Sequence, residues 1–163
     1  KNLSKIAKNV TLYNYALSNQ NGIAKLRIPI RSSSFFKSNY EELYQLGAAS
    51  IHAKNIFDKY HSVDVKKKKL DDILIKKKIG FIKIDVEGHE KEVIDGAKEI
   101  ININRPTLLV EIEQKHSKSL VIDTINYINQ LGYNSFYLLD NKLVETKFLK
   151  SFEKTNNFIF RSQ

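Results

Sequence analysis

Cysteine is absent from this sequence, and that absence removes two classes of architecture at once. Without thiols there is neither a disulfide framework nor a thiolate metal site, so a reducing compartment is permitted though not demonstrated. Glycine and proline are sparse as well, at 6 and 2 residues in 163. Gly22, Gly47, Gly80, Gly88, Gly96 and Gly132 are scattered singly, so no glycine-rich loop that could cradle a phosphate or a cofactor is present. No apolar run approaches the roughly 18 residues that span a bilayer, and the lysine-bearing start has no secretory pattern. The expectation is a soluble, cytoplasmic chain. Methionine is also missing, even from the first position, which reads as a fragment of a longer protein.

What is present suits one ordinary core: 42% of residues are hydrophobic and 10% aromatic, which argues against disorder and for a single domain over residues 1–163. The formal net charge of +9 suits an anionic partner such as an acidic glycan, nucleic acid or a membrane face. A plainer reading is a coding bias, because nearly all the basic residues are lysine beside abundant asparagine and isoleucine. Lys66 to Lys69 and Lys76 to Lys78 flank Leu70, Ile73 and Leu74, so these runs are expected on the solvated side of one short helix. Phe35, Phe36, Tyr40 and Tyr44 offer stacking surfaces or local packing, but no RNA-recognition or helix-turn-helix signature accompanies them. A non-enzymatic basic module binding an acidic glycan or nucleic acid is the alternative to an enzyme.

Along the chain, residues 3–8 read as a helix tail and Val10 to Leu17 as a strand. After a turn cluster ending at Gly22, Ile23 to Ile30 alternates as a second strand, with Pro29 favouring a strand end or an edge. Arg31 to His61 is the least patterned stretch and is the expected lid or surface loop. Ser62 to Lys66 reads as a short strand before a helix centred on Asp71 to Ile75.

The second half alternates strand and helix. Phe81 to Val86 is a buried-type strand, Glu90 to Asn102 a helix with Val93, Ile94, Ala97, Ile100 and Ile101 inward, and Thr107 to Ile112 another strand. Ser117 to Leu131 reads as a helix stopped at Gly132, and Ser135 to Leu139 pairs with Leu143 to Thr146 around Asp140-Asn141. Asn157 to Arg161 closes the series. Such alternation with short connections implies an α/β fold with a parallel sheet wrapped by helices.

Ligands of open parallel sheets bind beyond the carboxyl ends of the strands, and Asp85, Glu87, His89 and Glu90 all fall in such a strand-to-helix turn. A carboxylate or His89 there can take a proton from an attacking hydroxyl. Equally, Glu87 and Glu90 favour a helix start while His89 is a turn residue. Oxygen and imidazole ligands permit a divalent cation, but no spacing indicates a fixed zinc. Another enzyme on a similar sheet, such as a hydrolase, would need the G-x-S-x-G elbow that this sequence lacks.

Phe81-Ile-Lys-Ile-Asp-Val-Glu-Gly-His-Glu90, then Glu92-Val-Ile-Asp-Gly-Ala97 and Arg105-Pro-Thr-Leu-Leu-Val-Glu111, is similar in order and spacing to the hallmark of FkbM-family methyltransferases. Asn14-Tyr-Ala-Leu-Ser18, Gly22, Gly47-Ala-Ala-Ser50, Val65 and Leu70-Asp-Asp72 extend the resemblance upstream. It implies a Rossmann-like class I methyltransferase sheet with helices on both faces, S-adenosylmethionine as cofactor, and a hydroxyl of a sugar, glycan or secondary metabolite as acceptor. Carried over by position, Val10 to Leu17 resembles the third strand, with Ala16 and Leu17 as cofactor contacts. Phe81 to Val86 resembles the fourth, bringing Asp85 beside the reactive end of the cofactor, with Asp85 or His89 as base. Glu87 and Glu90 would order the turn, hold a cation or hold a sugar hydroxyl, and Glu111 would bind substrate.

Two pieces of the family pattern have no counterpart: the glycine-rich loop after the first strand and the acid ending the second. The resemblance therefore implies the C-terminal two-thirds of the domain, with the first two strands missing from this chain. Because those strands lie between the third and the fourth, a gap in the sheet is expected.

Overall fold

A computed structural model describes residues 9–31, 43–44, 48–51, 59–74, 76–113, 121–149, 151–152 and 155–163. The expected helix tail at 3–8, Gly47, Phe35, Phe36, Tyr40, most of the segment 31–61 and the start of the last helix at 117–120 lie outside the described residues. The elements fall into two sheets. One holds β1 (Ala16–Leu17), β2 (Gly22–Arg31), β3 (Leu43–Tyr44) and β4 (Tyr60–Lys68) in the order β1-β4-β2-β3. The other holds β5 (Phe81–Ile84), β6 (Thr107–Glu111), β7 (Tyr133–Leu139), β8 (Lys142–Glu145) and β9 (Asn157–Ser162) in the order β5-β6-β9-β7-β8. Among the described residues no ladder joins them. Among the described residues the α-helices are α1 (Leu70–Leu74), α2 (Glu90–Asp95), α3 (Lys98–Asn104) and α4 (Val121–Gln130), and none is long and apolar enough to cross a membrane.

The second sheet is mixed rather than parallel. β5 and β6 run together, but β9 enters antiparallel between β6 and β7. It fits there because its alternation puts Phe158 and Phe160, both fully buried, on the face already lined by Ile84, Leu108, Val110, Tyr133 and Tyr137. Val93 and Ile94 from α2, Ala97 from the joint that follows it, Ile101 from α3, and Val121, Ile125 and Ile128 from α4 complete this core. The opposite face carries Lys83, Leu109, Ile159 and Phe136 and leaves Phe81 and Leu138 each 58% exposed. Helix cover is therefore seen on one face among the described residues, not on both. The β7–β8 hairpin turns at Asp140 and Asn141, whose φ values of 46° and 61° suit the tight turn that matches strand twist.

Three sequence expectations are corrected. Lys66, Lys67 and Lys68 belong to β4, not to a helix, because its antiparallel register with β2 runs on to Gly22 opposite Lys67 and β1 adds parallel pairs at Lys67 and Lys68. Of the strand expected from Val10 to Leu17, Ala16 and Leu17 form ladder pairs, while Leu12 and Tyr13 are 57% and 50% exposed. The helix expected over Glu90 to Asn102 is two helices meeting at Gly96 and Ala97.

That break has an identifiable partner. Helix α3 has no capping side chain of its own, its cap position being Ala97. The buried carboxylate of Asp71, from α1, accepts the amides of Glu99 at 3.1 Å and Ile100 at 2.9 Å, while the Asp71 amide donates to the Gly96 carbonyl. A cap supplied from another element satisfies the orphan amides as a local one would. At the far end Arg105, left-handed at φ 47°, donates to the carbonyls of Leu131 and Gly132 and stacks on Tyr133.

Gly96 is where the first sheet meets the second layer. A β-carbon there would lie 2.0 Å from the Ser18 carbonyl oxygen, just beyond β1, against backbone that cannot step aside cheaply. Gly96→Ala is expected to lower stability by about 1–3 kcal/mol in urea unfolding. Gly80→Ala is the control, since nothing lies within 4 Å of its added carbon.

Candidate functional site

Because β5 and β6 are parallel with Ile84 opposite Val110, the residue after each strand opens on the same sheet edge. Asp85 follows β5 and is exposed, with its Oδ2 accepting from Lys83 Nζ at 2.6 Å. Glu111 ends β6 half-buried, where its Oε1 accepts from Asn156 Nδ2 at 2.8 Å, and that amide also reaches Glu113 at 3.2 Å. The Lys83 ammonium is held charged beyond its ordinary range, first by its hydrogen bond to Asp85 and then by the charge of that carboxylate, with a contribution from Glu111. Asp85, Lys83 and Glu111 thus form one charged edge.

The turn behind that edge is shaped by an unusual backbone. Glu87 has φ 51° and Gly88 φ 93°, two successive left-handed residues of which the first carries a side chain. Such a conformation persists where its surroundings hold it. The buried Glu90 carboxylate accepts the Gly88 amide at 2.8 Å, and the Ser50 hydroxyl donates to the Glu87 carbonyl at 2.8 Å. Ser50 is itself 3% exposed and locked to β2 by two backbone bonds with Arg27. His89 begins α2, and its Nε2 lies 3.0 Å from the hydroxyl of Ser18, which is 2% exposed. Its Nδ1 faces Glu92 Oε2 at 3.6 Å.

The four residues expected in this turn therefore divide. Asp85 points to the open edge, Glu90 and His89 are engaged inside the turn, and Glu87 supplies a backbone acceptor to Ser50. Ala16 and Leu17 are half-buried, and the Ser18 amide that follows them donates to the Lys68 carbonyl. The contact bringing this strand end to the turn is Ser18 with His89. Ser18, Ser50, Glu92 and Gly96 are not singled out by the sequence as site residues, although each belongs to a matched motif piece. Among the described residues no group of three or more His, Cys, Asp or Glu is arranged to hold a metal.

Burial raises the Glu90 carboxyl above its ordinary value of 4.5, and the amide hydrogen bonds from Gly88 and from its own backbone only partly oppose this. A carboxyl raised on folding stabilises the fold fully while protonated, and that contribution is lost as the pH climbs from 4.5 through the raised value. Glu90→Gln keeps an acceptor for Gly88 and cannot ionise. Its stability relative to the parent protein should therefore rise with pH across that window in parallel urea titrations, and an unchanged difference would refute the assignment.

The model of the Methyltransferase FkbM domain matches residues 1–135. Among solved structures, methyltransferase FkbM from Methylobacillus flagellatus KT is similar, at 22% identity and a TM-score of 0.43 over 60% of this chain. The match covers 23% of that protein's length. No curated protein matches the sequence. With the domain model covering the Asp85 turn, both parallel strand pairs and the β1 end, the chain belongs to the FkbM methyltransferase domain family.

Proposed function

We propose that the complete protein transfers a methyl group from S-adenosylmethionine to a hydroxyl oxygen of a sugar, glycan or secondary metabolite. The observation carrying this reading is the family match over residues 1–135, and the charged edge at Asp85 and Glu111 supports it. The residues fit such a cofactor: the half-buried end of β1 offers Ala16 and Leu17 to an apolar ring, and a carboxylate suits a cationic centre. Bound S-adenosylmethionine supplies a sulfonium methyl group that is already strongly electrophilic.

The work left to this chain is alignment and proton removal. Asp85 is the base in this reading: exposed at the strand end, its carboxylate accepts the acceptor's hydroxyl proton once the hydroxyl displaces Lys83. Lys83 then balances the charge of the pair. Glu111, steadied by Asn156, holds a second hydroxyl of the substrate, and Glu87 lies along the same turn. A Rossmann-like class I sheet is compatible with β1 and β5 lying in sheets that share no ladder among the described residues.

Two measurements test the reading. Asp85→Asn in the complete gene product should keep the fold and lower transfer of labelled methyl by roughly 100- to 10,000-fold, the usual share of a general base. A fully active variant would remove Asp85 from the chemistry. Titrated with labelled S-adenosylmethionine, the 163 residues alone should bind far more weakly than the complete product; micromolar affinity would contradict the division of the site.

A further inference from the structure

Ser18, His89 and Glu92 line up in a way that invites two chemical readings. A serine hydroxyl 3.0 Å from Nε2, with a carboxylate beyond Nδ1, has the order of a nucleophile, a base and an orienting acid. Geometry argues against that use. Ser18 is 2% exposed and its carbonyl is pressed against Gly96, so no substrate carbon reaches its hydroxyl. The His89–Glu92 separation of 3.6 Å is also too long for a hydrogen bond between them.

The same facts bear on methyl transfer. A base must meet the acceptor's proton within about 3 Å or through one water. The Nε2 of His89 instead meets a hydroxyl sealed from solvent, and the His89 side chain as a whole is 12% exposed. What the ring does span is the joint between the sheets. One side touches the residue following Ala16–Leu17, and its backbone opens α2 directly after the turn that carries Asp85. Ser50, from the first sheet's β2, grips the same turn at Glu87.

We propose that His89 is a positioning residue, not the base: with Ser18 it fixes the distance between the cofactor end of β1 and the turn presenting Asp85. The inference rests on the methyltransferase reading and assigns His89 a part within it. The ring acts through Ser18 on cofactor binding. A glutamine at 89 has the length to reach the Ser18 hydroxyl and no capacity to act as a base near neutral pH.

The test compares Ser18→Ala, His89→Ala and His89→Gln in the complete gene product, reading S-adenosylhomocysteine affinity by calorimetry and the pH profile of kcat. Ser18→Ala and His89→Ala should each weaken binding about five- to tenfold, the worth of one hydrogen bond. The double variant should be no weaker than the worse single one, because both remove the same contact. His89→Gln should restore affinity to within about threefold and leave the acid limb of the profile in place. Loss of that limb in His89→Gln, or its loss of turnover with affinity intact, would make His89 the base and overturn the proposal. Unchanged affinity in Ser18→Ala would overturn it as well. If His89→Ala fails to fold, His89→Gln against the parent protein still decides between positioning and proton transfer. A parent protein that binds no S-adenosylhomocysteine sinks the methyltransferase reading itself, an outcome separate from a parent that binds and a Ser18 variant that binds equally well.

Discussion

The Ser18 carbonyl occupies the space that any side chain at residue 96 would need. No strand pairing links the two sheets among the described residues; this contact, the packing of Leu17 against the main core and a few bonds nearby join them. The Asp71 amide meets the Gly96 carbonyl on the other side, so residue 96 is held between the first strand and the first helix. From there the order passes outward. The Asp71 carboxylate caps α3, and α3 carries Ile100 and Ile101 into the core. The hydroxyls of Ser18 and Ser50 meet the turn that ends in α2. A missing methyl group is thus the constraint on which the geometry of the candidate site rests.

Much of the architecture was legible because burial leaves a direct trace in composition. Phe81 to Val86 and Thr107 to Ile112 read as strands from apolar runs, of which Phe81–Ile84 and Thr107–Glu111 pair, and the inward positions of Val93, Ile94, Ala97, Ile100 and Ile101 followed helical spacing. That spacing could not reveal the break at Gly96, since both pieces bury the same face and the cap comes from Asp71, 28 residues before Glu99. The lysines of β4 misled for a related reason. A strand tolerates lysine wherever its backbone is paired, and the pairing to β2 is a property of the partner, not of the lysines.

The site was legible in its address but not in its wiring. Asp85 and Glu111 at strand ends follow from the alternation of strand and helix. That Glu90 bends back to the Gly88 amide, two residues away, is a local event with no distinguishing pattern, because acids are common in first helical turns anyway. Ser18 and His89 are 71 positions apart, and a small polar residue after a strand carries no mark of its partner. What separates the four residues of the turn is burial, and burial is decided by elements far off in the chain.

The distribution of the core has a further bearing. Apart from Pro29, the buried hydrophobic residues among those described all lie from Ile84 onward. The long β2–β4 ribbon contributes hydrogen bonds and little apolar cover, so its order is borrowed from the layer against which Ser18 and Ser50 sit. The ribbon therefore has the few buried apolar contacts that mark a segment of low local stability, whereas the later half has the contiguous core of a cooperative unit. A site assembled across that boundary rests on contacts of unequal footing, the Asp85 turn standing on the cohesive side and its Ser18 and Ser50 partners on the thinner one.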